Sequence, residues 1–214
     1  MNVNHEVEQA RRADCRLDLV PALGEFVPAG APLFRVHGDA SRIDQRGVRS
    51  ALVMHPERTL EHDIGYGLRL LVDIAERSLA DSPLQDPTTT VQAIDRLHDI
   101  LRQLANRAFP DGHHRDKEGV VRLIEKTMSW DDYVHLAFDE IRMAGASSPQ
   151  VSRRLKAALT DLRAVAPPDR VGVIDDQLDR LEGAVKKAWP TIASAWDPPA
   201  RREGRRGPVA ICHR

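Results

Sequence analysis

The sequence predicts a mainly α protein with a small N-terminal β-element, and three observations carry that prediction. Aromatic residues make up 4% of the 214 residues while the apolar fraction is 42%. A core of Leu, Val, Ile and Ala with few rings suits packed helices better than a sandwich or barrel. From Asp39 onward the pattern is helical, with apolar residues recurring at helical spacing in one segment after another. Before residue 38 the spacing becomes strand-like, punctuated by Pro21, Gly24, Pro28, Gly30 and Pro32. The expected architecture is a bundle of about five to six helices over residues 39–195. A short helix and the β-element precede it in residues 1–38, and a disordered Arg/Pro-rich tail follows in 196–214.

Residues 4–13 read as the end of a short polar helix. Leu17, Leu19, Leu33, Phe34 and Val36 have strand spacing, with GEFV and PLFRV as extended arms around the Val27–Gly30 turn. Residues 41–53 are a weak helix or loop. GYGLRLLVDIAERSLA sets Leu68, Leu71, Val72, Ala75 and Leu79 on one helix face, and Val91, Ile94, Leu97, Leu101 and Leu104 make a second stripe. DGHHRDKEG (111–119) is a polar loop, and VVRLIEKTM is either a strand or a short helix. Ser129 before two acidic residues caps another helix. Two more run from Pro149 to Ala164 and from Asp169 to about Ala188, separated by Pro167-Pro168.

Charged residues amount to 29% and almost cancel, leaving a formal charge of -1, so no nucleic-acid partner is expected. Cys15 and Cys212 sit near opposite ends and form neither a disulfide framework nor a CxxC pair. With no long apolar run and no signal-peptide segment, the chain as written reads as cytoplasmic.

Catalytic chemistry finds little support. The sequence has no GxSxG elbow, no GxxxxGKT and no GxGxxG. The alternative is a small metal-dependent or hydrolytic enzyme built on His62, Asp63 and Asp86, or on His113-His114 with Asp111 and Asp116. The residues favour a non-enzymatic domain over it, with no cofactor and no metal. In SPLQDPTTTVQAIDRL (82–97), Asp86-Pro87 is what a helix start asks for: the carboxylate accepts an orphan N–H and proline takes the first helical position. Three consecutive threonines are less well explained by a cap alone.

The block from Arg58 through Asp63-Ile64-Gly65-Tyr66-Gly67-Leu68-Arg69 to Leu71-Val72-Asp73-Ile74-Ala75 resembles a bacterial family, domain of unknown function 2254 (DUF2254), predicted membrane proteins. Gly24-Glu25-Phe26-Val27 with Gly30-Ala31-Pro32-Leu33, and Gln85-Asp86-Pro87-Thr88-Thr89-Thr90, carry the same resemblance, which extends over roughly residues 5–190. Gln85 stands where the family has asparagine. The resemblance implies relatives in the inner or plasma membrane, with transmembrane helices ahead of this region. The chain would then be a free-standing or truncated form of a cytosolic regulatory or interaction domain on a channel- or transporter-like module. Its expected partner is that membrane-embedded module or a second copy of itself; a small-molecule ligand is not specified. Arg58, Asp63, Arg69, Asp86 and Asp95 are read as a buried polar network between the two central helices, because desolvated charges must be paired. With His62, Gln85 and Thr88 they make up the candidate binding set, the structural role being favoured over a ligand site.

Overall fold

A computed structural model describes residues 2–52, 63–80 and 86–189. Seven α-helices and four strands follow one another as α1 (Val3–Arg12), β1 (Arg16–Leu19), β2 (Phe34–His37), α2 (Gln45–Ala51), α3 (Ile64–Leu79), α4 (Pro87–Leu104), β3 (His113–Arg115), β4 (Val121–Ile124), α5 (Trp130–Gly145), α6 (Pro149–Val165) and α7 (Val171–Ala188). The mainly α reading with a small β-element holds.

Each of these helices except α7 begins where a side chain accepts from one of its first N–H groups. Asp63 accepts from Tyr66 N at 2.8 Å and Asp86 from Thr89 N at 3.2 Å. Ser129 and Asp132 form a reciprocal capping box at α5. Helices α3 to α7 turn their stripes onto one core that includes Leu68, Val72, Ile94, Leu97, Phe138, Ile141, Leu155, Leu162, Ile174 and Leu181. Close approach at one point depends on a missing side chain. A Cβ on Gly145 would lie 2.5 Å from Val151 Cγ1, so the α5–α6 turn has no room for one.

The β-element is larger than the sequence reading made it. Its sheet has the order β2-β1-β4-β3, with β1 antiparallel to β2, parallel to β4, and β3 antiparallel to β4. Half of it therefore comes from a hairpin inserted between α4 and α5. That hairpin corrects one expectation, since residues 111–119 hold strand β3 rather than only a loop, and it decides between the two readings of VVRLIEKTM, which contains strand β4. Gly112, at φ +72°, permits the entry, since a Cβ there would meet Glu125 O at 2.1 Å.

GEFV is not an arm of the sheet. The first strand is Arg16–Leu19 and the second begins at Phe34, because Gly24 and Gly30 adopt positive φ and the prolines cannot feed a ladder. In the weak 41–53 stretch, Asp44 caps a real helix, α2. A second core of Ala10, Ala13, Cys15, Leu17, Val48 and Leu123 lies between α1, α2 and one face of the sheet.

Within that second layer, Glu6 is 0% exposed and, among the described residues, neither carboxylate oxygen has a hydrogen-bond partner. Burial pushes its pKa from the model-compound 4.5 up to about 7. The unfolded chain then ionises first, so the Glu6 contribution to stability is intact below about pH 4.5 and is lost as pH rises through about 7. The loss amounts to about 3 kcal/mol at most. Urea unfolding at pH 5 and pH 8 should show this decline, and Glu6→Gln should flatten it; an unchanged pH profile in the variant would contradict the assignment.

Candidate functional site

The described members of the expected polar set are distributed rather than gathered. Asp63 and Asp86 cap α3 and α4. Thr88 is exposed on the first turn of α4, and the neighbouring threonines take the roles that the cap left unexplained. The Thr89 hydroxyl and N–H both donate to Asp86 and hold its carboxyl below the usual carboxylate range. Thr90 is fully buried; its hydroxyl donates to Ala75 O at 3.3 Å and lies 2.5 Å from Ser78 Oγ, joining α4 to α3. Arg69 reaches across from α3 to α5, with Nη1 2.7 Å from Glu140 Oε1 and Nε 3.0 Å from Asp73 on its own helix. Arg58, His62 and Gln85 lie outside the described residues.

Asp95 belongs to the most extended polar array, along the α4–α6 seam. Asp95, His98 and Arg102 share one edge of α4, and Arg154 and Asp161, two turns apart, face them from α6. Arg154 Nε donates to Asp95, and its Nη2 lies 3.0 Å from His98 Nδ1. His98 Nε2 is 2.9 Å from Asp161 Oδ2, which also accepts from Arg102. A guanidinium can only donate and an ionised carboxylate can only accept, so a neutral imidazole carrying its hydrogen on Nε2 satisfies both neighbours. Burial alone would raise the Asp161 pKa; hydrogen bonds from Arg102 and His98 outweigh it and lower the pKa.

A histidine oriented by an aspartate is part of a general-base arrangement, but here the Nδ1 lone pair that would take a proton is occupied by Arg154. The array ties α4 to α6.

Two shorter arrays do the same elsewhere. Fully buried Gln177 of α7 donates to Asp139 Oδ1 at 2.7 Å and accepts from Arg142 Nε at 3.3 Å, tying α7 to α5. On the α3–α5 seam, burial and the adjacent Glu140 raise the pKa of Glu76. The paired histidines diverge. His113 Nδ1 bonds Asp111 O, while His114 Nε2 bonds Glu125 Oε1 at 2.8 Å on the face toward α1. Asp116 is committed to Arg122 Nε at 2.7 Å and to the turn N–H groups of Glu118 and Val120. Among the described residues no group of three or more His, Cys, Asp or Glu side chains is arranged to hold a metal ion. Nor, among them, is any helix long and apolar enough to cross a membrane.

The family described as "Predicted membrane protein (DUF2254)" matches residues 1–161. The chain belongs to this family. The match runs from the N-terminus to Asp161, inside α6, a narrower C-terminal reach than the resemblance suggested. Within DUF2254, uncharacterized proteins of Mycobacterium bovis and Mycobacterium tuberculosis are each 36% identical over 167 residues, covering 72% of this chain and 31% of their own length. The chain thus spans about a third of the length of the curated relatives it matches. No solved structure matches it.

Thr90, Arg154, Asp161, Glu140 and Gln177 were missed from sequence. Only Thr90 left a signal, since it stands three and four residues before the buried Ala93 and Ile94 of the α4 stripe.

If Asp86 acts as a cap, Asp86→Ala should cost about 1 kcal/mol while exposed Thr88→Ala stays within about 0.5 kcal/mol, by urea denaturation. A double-mutant cycle with Arg69→Ala and Glu140→Gln should return a coupling of about 0.5–1 kcal/mol, because both side chains are over a third exposed. Unchanged stability with lost partner or ligand binding in Asp86→Ala and Arg69→Ala would instead point to a binding site.

Proposed function

We propose that this part of the family is a water-exposed regulatory or interaction domain, on the cytoplasmic side, for the membrane-embedded part of a channel- or transporter-like protein. The observation that carries the reading is the division of the helices into a closed apolar core and an ionic exterior. Stripes from α3 to α7 meet one another, while the outer edges hold interhelical ion pairs such as Arg69–Glu140, Arg154–Asp95 and Arg163–Asp175. A lipid-facing helix would reverse that arrangement, since charges at bilayer depth cost several kcal/mol each. The family description and the roughly two thirds of the mycobacterial relatives left uncovered supply room for the membrane part. Buried Cys15 is a free thiol, as a reducing compartment maintains.

The polar arrays support a binding and scaffolding role over catalysis. Arg69, Asp95, His98, Asp161 and Asp139 are each matched to a partner on another helix, and none of them is paired with a serine or cysteine nucleophile among the described residues.

Expressed alone, the chain should be recovered in the supernatant when a lysate is washed with high salt or alkaline carbonate and centrifuged at high speed. Co-expressed with the remaining part of the M. tuberculosis relative, it should sediment with membranes and be released by alkaline carbonate. Resistance to carbonate when expressed alone would show an integral protein and overturn the reading, as would indifference to the co-expressed part.

A further inference from the structure

The β1–β2 connection is accounted for neither by the helical core nor by the polar seams. From Leu19 to Phe34, sixteen residues carry one charged side chain, Glu25, where the 29% average of the chain would place more than four. That one charge is turned back on the loop, Glu25 Oε2 accepting from Ala22 N at 2.7 Å. The apolar side chains are not hidden in return: Phe26 is 86% exposed and Leu23 55%. The loop is held in shape by Val20 N to Leu33 O at 2.9 Å and by a Pro28–Ala31 turn at 3.1 Å. An exposed ring and an exposed leucine on a nearly uncharged loop mark a contact surface.

The chemistry beside the loop identifies what it meets. After Glu25 no carboxylate occurs until Asp39, while Arg35 and His37 stand exposed between them. Strand register puts Arg16, Asp18, Arg35 and His37 on the sheet face turned away from α1. There Asp18 is shared by Arg16 and His37, and among the described residues Arg35 has no carboxylate partner. The loop is therefore an apolar tip with a net positive flank. Pro21, Pro28 and Pro32 remove three N–H donors from it, which leaves little for directional recognition of a protein groove. A non-directional apolar medium bordered by anions fits better, and that is the headgroup–acyl boundary of a bilayer carrying anionic lipid.

We propose that the β1–β2 loop docks the domain on the membrane surface, with Phe26 and Leu23 entering the boundary region and Arg35 beside lipid phosphates. The proposal rests on the reading above only in placing a bilayer within reach.

Flotation of the purified chain on phosphatidylcholine vesicles with and without phosphatidylglycerol tests it, with lipid in the millimolar range. The wild type should float, more so with the anionic lipid, and added salt should release part of it. The variant carrying Leu23→Asp and Phe26→Asp should lose binding by roughly tenfold or more. Both sites are exposed, and an unaltered thermal melt verifies that the variant folds. Arg35→Glu should weaken binding to anionic vesicles and leave phosphatidylcholine binding unchanged. Failure of the wild type to float on either vesicle, or equal flotation of the double variant, would overturn the proposal. So would loop-dependent binding seen only with membranes that carry the remaining part of a relative, which would assign the loop to a protein partner. In those cases carbonate-releasable association with that remaining part would leave the broader domain reading standing, so the two failures are distinguishable.

Discussion

The parallel pairing of β1 with β4 is the constraint on which the N-terminal half of this structure depends. Leu17 sits opposite Leu123, and these two side chains form the centre of the layer that α1 covers. Without the returning hairpin, β1 and β2 would be an isolated two-stranded ribbon, too small to be stable in water. The apolar face of α1 would then have half a wall to pack against. Arg122 secures the junction, donating to Asp116 in the hairpin turn and to Asp14 and Cys15 O at the α1–β1 corner. One guanidinium thereby connects a helix end, a strand start and a turn more than a hundred residues away in the chain.

The helical core is organised by a different principle. Its helices meet through apolar stripes, and polar groups at the edges add directional contacts between them. Arg154 bridges Asp95 and His98, Gln177 reaches Asp139, and Thr90 donates to Ala75 O, each a bond that depends on the register of the two helices it joins. Arg170 closes one end. It donates to Ala105 O at 2.7 Å beyond the last turn of α4 and lies 4.8 Å above the Phe109 ring, while its own carbonyl accepts from Trp130 Nε1 at 3.0 Å. The polar edges thus join neighbouring helices, and the ionic exterior they create is the basis for reading the domain as water-exposed.

The contrast between Glu6 and the β1–β2 loop bears on function. Glu6 is a charge-bearing group placed inside, and Phe26 a large apolar group placed outside; each runs against the ordinary partition. Glu6 makes the N-terminal layer sensitive to pH in the neutral range. Phe26 gives that same layer a surface suited to lipid.

Most helix positions, the caps at Asp86 and Ser129, most of the core stripe residues and the family were legible in the residues themselves. These rest on interactions within one turn, such as Asp86 to Thr89, three residues apart, or on a spacing of three to four repeated along one segment. The strand order, the partners of Arg69 and His98 and the isolation of Glu6 were decided only by tertiary structure. Arg69 meets Glu140 across 71 residues, His98 meets Asp161 across 63, and Arg122 meets Asp14 across 108. Nothing local distinguishes those carboxylates from the many others along the chain. The same holds for the expected network: its members looked like one cluster because they are near in sequence, yet a helix turns successive charges toward different neighbours. Local chemistry decides where an element starts and which face is apolar; only packing decides what each polar edge will touch.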